Sequence, residues 1–446
     1  MKRRAFLSSS VQAGLGTLLL PSAVNSCNGE PPFNSISYSG RVVIIGAGIA
    51  GIYAGYLLQE QGIDFTILEA SDRIGGRMGK NEDFADFPID TGAQWLHSDF
   101  SILGSLAKTT GTEVFYDNAE ASYWHQGELK GQMPDVIAQI LEGLEKATED
   151  ISFKEYFYNK GATDEEYNLL VALAGDVGAS PENISVKWEQ QGYELTSYGD
   201  EDYKFKKTFF DFVNEQLISK VSGNVQTNTV VKSIDYQTDS IKVTDKDGQE
   251  HAADKVIITV PITVLKDRDI DFSPALPQAK TESFQQLGME AGIRAFLRFS
   301  EPITDRDLIG GSVCAAYVYE SYNRDTNDHI LFGFAMGNQA VALSDMGETA
   351  AVQALLAELD TMTDGKASAS YQGHFFQDWY KAPFVRGAYS YPLVGATENT
   401  RKNIAASVEN KLFFAGEATN YNGHHQTVHG AVESAYREVL NILENI

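Results

Sequence analysis

Between residues 41 and 69 two short apolar runs flank a longer mixed stretch. Val42–Ile45 is unbroken apolar sequence closed by Gly46, the pattern of a strand buried on both faces. Asp64–Leu68 reads as a second strand ending at Glu69, and the stretch between them reads as a helix. Residues 99–202 are predicted to be mainly helical, with apolar periodicity in Asp135–Ile151 and Glu165–Ala174, and Phe209–Val221 continues that character. Strands return at Val230–Tyr236 and Ile241–Thr244, with Asp247-Gly248 as a hairpin turn, and at Lys255–Val260 before Pro261. Beyond residue 269 the pattern mixes longer strands and helices, including Ala295–Phe299, Ala315–Glu320, Ile330–Met336 and Ala350–Met362. Leu412–Ala415 reads as the last strand and Val428–Leu443 as a long helix. No repeat of fixed period runs through the chain.

The turn between the first strand and helix carries Gly46, Gly48 and Gly51 in the spacing G-x-G-x-x-G. The first glycine suits a tight turn, the second lets backbone approach a pyrophosphate, and the third lets helix and strand pack closely. Glu69 follows Gly51 by 18 residues, where an acid can bond ribose hydroxyls. The bland alternative is a tight strand–helix turn with nothing bound. Directly after it, Gly75-Gly76 lies between Arg73 and Arg77, so backbone can pass a cofactor and two fork-shaped donors can meet phosphate. Asp90–His97 adds another glycine bend followed by Gln94, Trp95 and His97.

A second dense segment runs from Lys411 to Ala435. Gly416 permits close approach, Glu417 can accept hydroxyl hydrogen bonds, and Gly430 and Ala431 are small enough for a helix N-terminus to sit against a planar ring. His425, His429 and Glu433 at i, i+4, i+8 also have metal-ligand spacing, but no other feature suggests a metal and none is assigned. Trp379 precedes Arg386-Gly387-Ala388-Tyr389-Ser390, whose aromatics could equally be ordinary core residues.

Taken together, these segments resemble the flavin-containing amine oxidases, which include polyamine oxidases, monoamine oxidases, L-amino-acid oxidases and lysine-specific histone demethylases. The resemblance implies an α/β protein: a two-domain FAD-binding Rossmann-like fold of the glutathione-reductase type with an interwoven α+β substrate domain. Mapped onto the breaks here, residues 41–98, 203–268 and 387–446 form the FAD-binding domain, and 99–202 and 269–386 the substrate domain. It further implies that Gly76, Arg77, Gln94, Trp95 and Val231 contact FAD, that Trp379 packs on the flavin, and that Glu417 bonds the ribityl chain. Thr427 and Val428 would lie at the pyrimidine edge. Tyr389 and Thr427 would face each other over the flavin as a cage for an amine, and His97 would point toward substrate. Gly387–Ser390 contains no cysteine, so FAD is expected to be non-covalent.

Two positions depart from the family pattern. Arg294 occupies the place where amine oxidases usually carry a lysine that holds water against flavin N5; it keeps the charge but is planar and does not readily deprotonate. Tyr203–Phe209 replaces a usual Gly-Gly turn. The L-amino-acid oxidases place an arginine near Gly92–Trp95 to clamp a carboxylate, and none stands there in this chain.

The chain has 446 residues, 43% apolar, and a formal net charge of −26. That acidity argues against nucleic acid and would draw cationic amines, although it equally serves solubility. Lys2-Arg3-Arg4-Ala5-Phe6-Leu7 looks like a twin-arginine export signal ending near residue 27, and Val24–Cys27 resembles a loose lipobox. Export to the periplasm or cell envelope, with Cys27 as a lipid anchor, is therefore expected, and residues 28–40 read as a tether. Cys314 is the other cysteine, so an acylated or removed Cys27 leaves no structural disulfide.

The expected reaction is oxidation of a C–H beside an amine nitrogen by hydride transfer to flavin N5. The imine hydrolyses to an aldehyde or ketone, and the reduced flavin would pass its two electrons to oxygen, giving hydrogen peroxide. Because the amine must react neutral, its own protonation sets the expected pH dependence. Three alternatives stay open: a dehydrogenase of the same fold using a quinone or cytochrome, an L-amino-acid oxidase, and a non-catalytic flavin-binding surface protein.

Overall fold

A computed structural model describes residues 38–97, 101–195 and 201–445. The expected signal, Cys27 and most of the tether lie outside the described residues.

Apolar runs that have no polar face must be covered on both sides. Here they form a five-stranded parallel sheet in the order 225–226, 64–68, 41–45, 255–258, 412–414. The register sets Ile45 beside both Leu68 and Ile258, with Ile258 beside Phe414, so the carboxyl ends of the strands lie level. One face is covered by the helix Ile49–Glu60, itself packed against the C-terminal helix Val428–Glu444. The other meets a four-stranded sheet, 250–253, 241–245, 231–235, 271–273, through Val43, Ile258, Ile234 and Val243. Gly248, at φ +81°, closes the hairpin anticipated at Asp247-Gly248.

The remaining bulk is built on a seven-stranded mixed sheet, ordered 371–378, 292–299, 329–336, 316–319, 307–309, 121–125, 128–130. Alternation along Gly292–Phe299 sends Ile293, Ala295 and Leu297 toward the helices 337–346 and 348–362, and Phe296 to the opposite face. Arg294 shares that opposite face by the same alternation.

The region 99–202 is less purely helical than its periodicity predicts. It contributes the strands Ala121–His125 and Glu128–Lys130 to the seven-stranded sheet, because Tyr123 pairs with Ile309 across a separation no local pattern encodes. Helix Asp135–Glu142 also stops at Gly143, well short of Ile151. Tyr203–Phe209, whose path departs from the family pattern, begins as a strand: Asp202–Phe205 pairs antiparallel with both Leu96–His97 and Val114–Tyr116.

Candidate active site

The carboxyl ends of the parallel strands open into one continuous cavity of about 890 Å³ that reaches the seven-stranded sheet. This is where doubly wound α/β folds bind ligands. Gly51 explains the closeness of the first helix to the sheet: a Cβ there would sit 2.0 Å from the Gly46 carbonyl oxygen. Gly48 faces the cavity and a Cβ on it would meet no atom within 4 Å, so the glycine holds open space beside the helix start. That helix has no side-chain cap, which leaves its N-terminal dipole to a ligand.

Glu69 lines the same end. Its carboxylate accepts from Ala47 N (2.6 Å), Ser71 N (2.9 Å) and Ser71 Oγ (2.7 Å), bracing the glycine turn. Gly75 N donates to Ala47 O at 2.9 Å, and a Cβ on Gly76 would come within 3.1 Å of Gly48 Cα, so the Gly-Gly segment lies directly on that turn. Arg73 is turned inward to the carbonyl of Met78 at 2.7 Å.

Arg77 ties the N-terminal half to the C-terminal half, donating to Ala388 O (2.8 Å) and Glu417 Oε1 (3.0 Å). Glu417 also accepts from Ser390 Oγ (2.7 Å), Ser390 N (3.2 Å) and Gln426 N (3.1 Å). Burial opposes its charge, but Arg77 and Arg401 outweigh it and hold the carboxyl below its ordinary range. Glu417 is thus an ionised junction among three chain segments, and it remains on the cavity wall.

The helix Val428–Glu444 begins at the cavity with Thr427 as its N-cap, accepting from Gly430 N at 2.9 Å. Thr427, Val428 and Ala431 line the cavity. Gly430 does not face it; a Cβ there would strike the His424 carbonyl oxygen at 1.8 Å, so its smallness serves the preceding turn. The metal spacing of His425, His429 and Glu433 also fails as a helix face, because the helix starts at Val428 and it is His424 that meets Glu433, at 2.8 Å.

At the other end of the cavity, Tyr389 donates its hydroxyl to Asp176 O at 2.9 Å. Trp379 is buried with Nε1 on Thr91 O at 3.1 Å, and Trp95 Nε1 donates to Asp117 at 2.7 Å. Arg294 reaches the wall from the sheet and donates to Gln94 Oε1 (2.5 Å) and Asp90 O (3.1 Å). Its guanidinium lies 4.7 Å from the Phe332 ring centre and 5.2 Å from that of Trp95. Burial pulls Arg294 down to about 10, against Glu320 and Asp90, so it stays cationic near neutrality.

Behind Arg294 lies a buried charge cluster. Glu320 Oε2 receives Lys204 Nζ at 3.0 Å and Gln94 Nε2 at 3.3 Å, and Arg324 meets Oε1 at 3.1 Å. Burial works against the charge on Glu320, yet Lys204 and Arg324 keep it ionised.

Every residue anticipated from sequence as a site residue lines this cavity except Gly51, which packs behind it. Val231 enters from the four-stranded sheet, and His97, Tyr389 and Thr427 all line the cavity. Sequence reasoning missed Asp176 and Asp202, which also line the cavity, and the second layer of Lys204 and Glu320. The one signal for Asp202 and Lys204 was the departure at the run beginning with Tyr203.

The chain is 27% identical to polyamine oxidase 4 of Oryza sativa subsp. japonica, over 94% of this chain and 90% of that protein. It is 25% identical to lysine-specific histone demethylase 2 of Homo sapiens, over 90% of this chain and 53% of that protein. Among solved structures, putrescine oxidase (wild type bound to putrescine) superposes with a TM-score of 0.77 at 20% identity, covering 91% of this chain and 99% of that one. Cyclohexylamine oxidase from Brevibacterium oxydans IH-35A superposes with a TM-score of 0.78 at 18% identity, covering 92% and 99%. With residues 49–180 and 210–443 matching the model of the flavin containing amine oxidoreductases as well, the chain belongs to that family.

Proposed function

We propose that this flavoenzyme oxidises an amine lacking an α-carboxylate, such as a polyamine, at the C–H beside nitrogen. The imine product hydrolyses to an aldehyde or ketone, and oxygen is reduced to hydrogen peroxide. One observation carries the reading: the cavity runs unbroken from the glycine turn to an aromatic end bounded by Trp95, Phe334 and Tyr389, with Asp176 and Asp202 on its lining. The aromatic faces and carboxylates suit a cation.

FAD would be held by the backbone around Gly48 and Gly76, by Arg77, and by the helix start at Thr427–Val428. Once bound, it supplies the two-electron acceptor that side chains lack. This chain's own residues bind and orient. Tyr389 and Thr427 fix the amine's approach, and Trp95 and Phe334 exclude water. Arg294 is committed to Gln94 and the Asp90 carbonyl, and Arg386 to Asp267 and Asp269, so neither is placed to clamp a substrate carboxylate. The names of the polyamine and putrescine oxidases to which the chain is similar support the same class.

An anaerobic screen of flavin bleaching by polyamines, monoamines and amino acids tests the reading, followed by air and a peroxide assay. Preferential bleaching by amino acids, or by nothing, rejects it. Bleaching without peroxide favours the second reading, a dehydrogenase passing electrons to a quinone or cytochrome, which the rigidly held Arg294 motivates. We also propose export with acylation at Cys27, supported by Arg3-Arg4 and the sequence before Cys27. The mature N-terminus, measured by mass spectrometry on fractionated cells, decides it.

A further inference from the structure

We propose that Gln426 is a positioning residue that ties the aromatic end of the cavity to the turn before the C-terminal helix, so that Tyr389 keeps a fixed place relative to the helix start at Thr427–Val428. The effect on rate rests on the amine-oxidation reading of this cavity; the tie itself does not.

Gln426 has a left-handed backbone, at φ +67°, which a residue with a Cβ adopts only where the structure around it holds it there. It is buried and lines the cavity. Its donors reach two different parts of the fold. The backbone N–H donates to Glu417 Oε2 at 3.1 Å, and side-chain Nε2 donates to Val177 O at 3.2 Å, across 249 positions. A carbonyl only accepts, so the amide must present its NH₂ group to Val177.

Val177 follows directly on the helix Tyr167–Asp176. The last carbonyls of a helix have no intrahelical donor, and here two cavity-lining side chains cover them. The Tyr389 hydroxyl donates to Asp176 O at 2.9 Å and lies 3.3 Å from Gly175 O, and Gln426 covers the next carbonyl along. Gly178, at φ +88°, then turns the chain against the Tyr389 ring. One helix end therefore holds Tyr389 and is itself held by Gln426. Through the N–H on Glu417, that hold extends to the junction with Arg77. Such a link matters where a reacting carbon must meet a planar acceptor, because a small misplacement costs rate more than it costs binding.

FAD-loaded Gln426→Ala and Gln426→Gly, compared with the wild type, separate side chain from backbone. Both remove the donor to Val177 and keep the N–H for Glu417, and glycine alone relieves the left-handed strain. Val177 N and Ala179 N donate to Ala174 O, and Gly178 N to Gly175 O. Hydrogen–deuterium exchange at these three amides should speed up about two- to tenfold in both variants, as for one net hydrogen bond lost. Rapid-mixing measurements of anaerobic flavin reduction by putrescine, spermidine and benzylamine give the second readout. The limiting rate should fall about tenfold or more in both variants, while the apparent amine dissociation constant changes less than about threefold. Flavin absorbance and melting temperature confirm that each variant is loaded and folded, and the glycine variant should melt above the alanine variant while reducing no faster. Wild-type exchange and rate in loaded Gln426→Gly overturn the proposal and leave Gln426 a turn former alone. Faster exchange with an unchanged limiting rate overturns the positioning role. Flavin lost from Gln426→Gly on dialysis overturns it too, because the side chain would then serve retention rather than the wall. If no amine bleaches the wild-type flavin, the oxidase reading falls, and exchange at residues 177–179 still decides the tie.

Discussion

Arg77 and Glu417 meet with Nη1 and Oε1 3.0 Å apart although 340 positions separate them. The pair joins the segment after the glycine turn to the segment before the C-terminal helix, and Arg77 also holds the carbonyl of Ala388. Removing one member of a buried ion pair leaves the other charge uncompensated, which costs about 3–5 kcal/mol. Glu417→Gln therefore loosens the closure around FAD, and the variant should lose flavin on dialysis where the wild type retains it. Unchanged occupancy would count against this junction as a determinant of cofactor retention.

The same pair sets an acid limit. Because the folded protein holds Glu417 below its ordinary 4.5, the unfolded chain binds the proton more readily. The stabilisation is complete above that value and disappears as pH falls through the lower folded value. FAD release monitored by fluorescence should steepen below about pH 4.5, and Glu417→Gln should flatten that limb. An identical acid limb in the variant assigns the transition to other carboxylates.

Tyr389 is held from behind: its hydroxyl donates to Asp176 O, and its ring lies where a Cβ on Gly178 would come within 2.5 Å of it. Gly178 also has φ +88°, so Gly178→Ala both strains backbone and displaces the ring. Tyr389→Ala should slow flavin reduction by about tenfold or more, roughly 1.4 kcal/mol of barrier, with FAD still bound. Tyr389→Phe, which keeps the ring, should fall between. Wild-type reduction rates in the alanine variant would take Tyr389 off the substrate wall.

Much of this was legible because local patterns encode it. The unbroken apolar run Val42–Ile45, the glycine spacing after it and the acid at Glu69 need only a short window, and the parallel sheet and cavity formed where they pointed. The small residues Gly430 and Ala431 were legible as a close approach but not as to which: Gly430 faces a carbonyl and Ala431 the cavity. What stayed hidden depends on pairings across long separations. Lys204 and Glu320 are 116 positions apart, and nothing near either says that a buried lysine will meet a buried carboxylate. Asp202 becomes a partner of His97 only through a strand register that its own flanking residues do not encode.

Arg294 pairs directly across the sheet with Phe334, and the resulting stack between rings fixes a side chain that is otherwise long and mobile. Substituting lysine keeps the charge but frees it from the planar stack and from Gln94 Oε1. Arg294→Lys should leave flavin reduction by amine within a few-fold while changing reoxidation by oxygen about tenfold or more, as followed by stopped-flow after anaerobic reduction. Stability should drop by about 1–3 kcal/mol for the donors lost to Gln94 and Asp90. Equal reoxidation rates in both forms would mean that this position does not govern the acceptor.

Asp90 lies under that same arginine and receives Phe209 N at 2.9 Å and Phe210 N at 3.2 Å at the start of a helical turn. Burial raises its carboxyl to about 7, more than the two N–H donors and Arg294 lower it. A folded value above the unfolded 3.8 means that the native state binds the extra proton. Its contribution is therefore complete below about 3.8 and declines as pH rises through about 7. Asparagine keeps an acceptor for the helix N–H groups and cannot ionise. Asp90→Asn should match the wild type near pH 3.8 and exceed it near pH 8 by about 1–3 kcal/mol, read as a gap in melting temperature that opens with pH. A gap that stays constant, or that closes on the alkaline side, would show that Asp90 is ionised throughout and that the helix start and Arg294 together outweigh its burial.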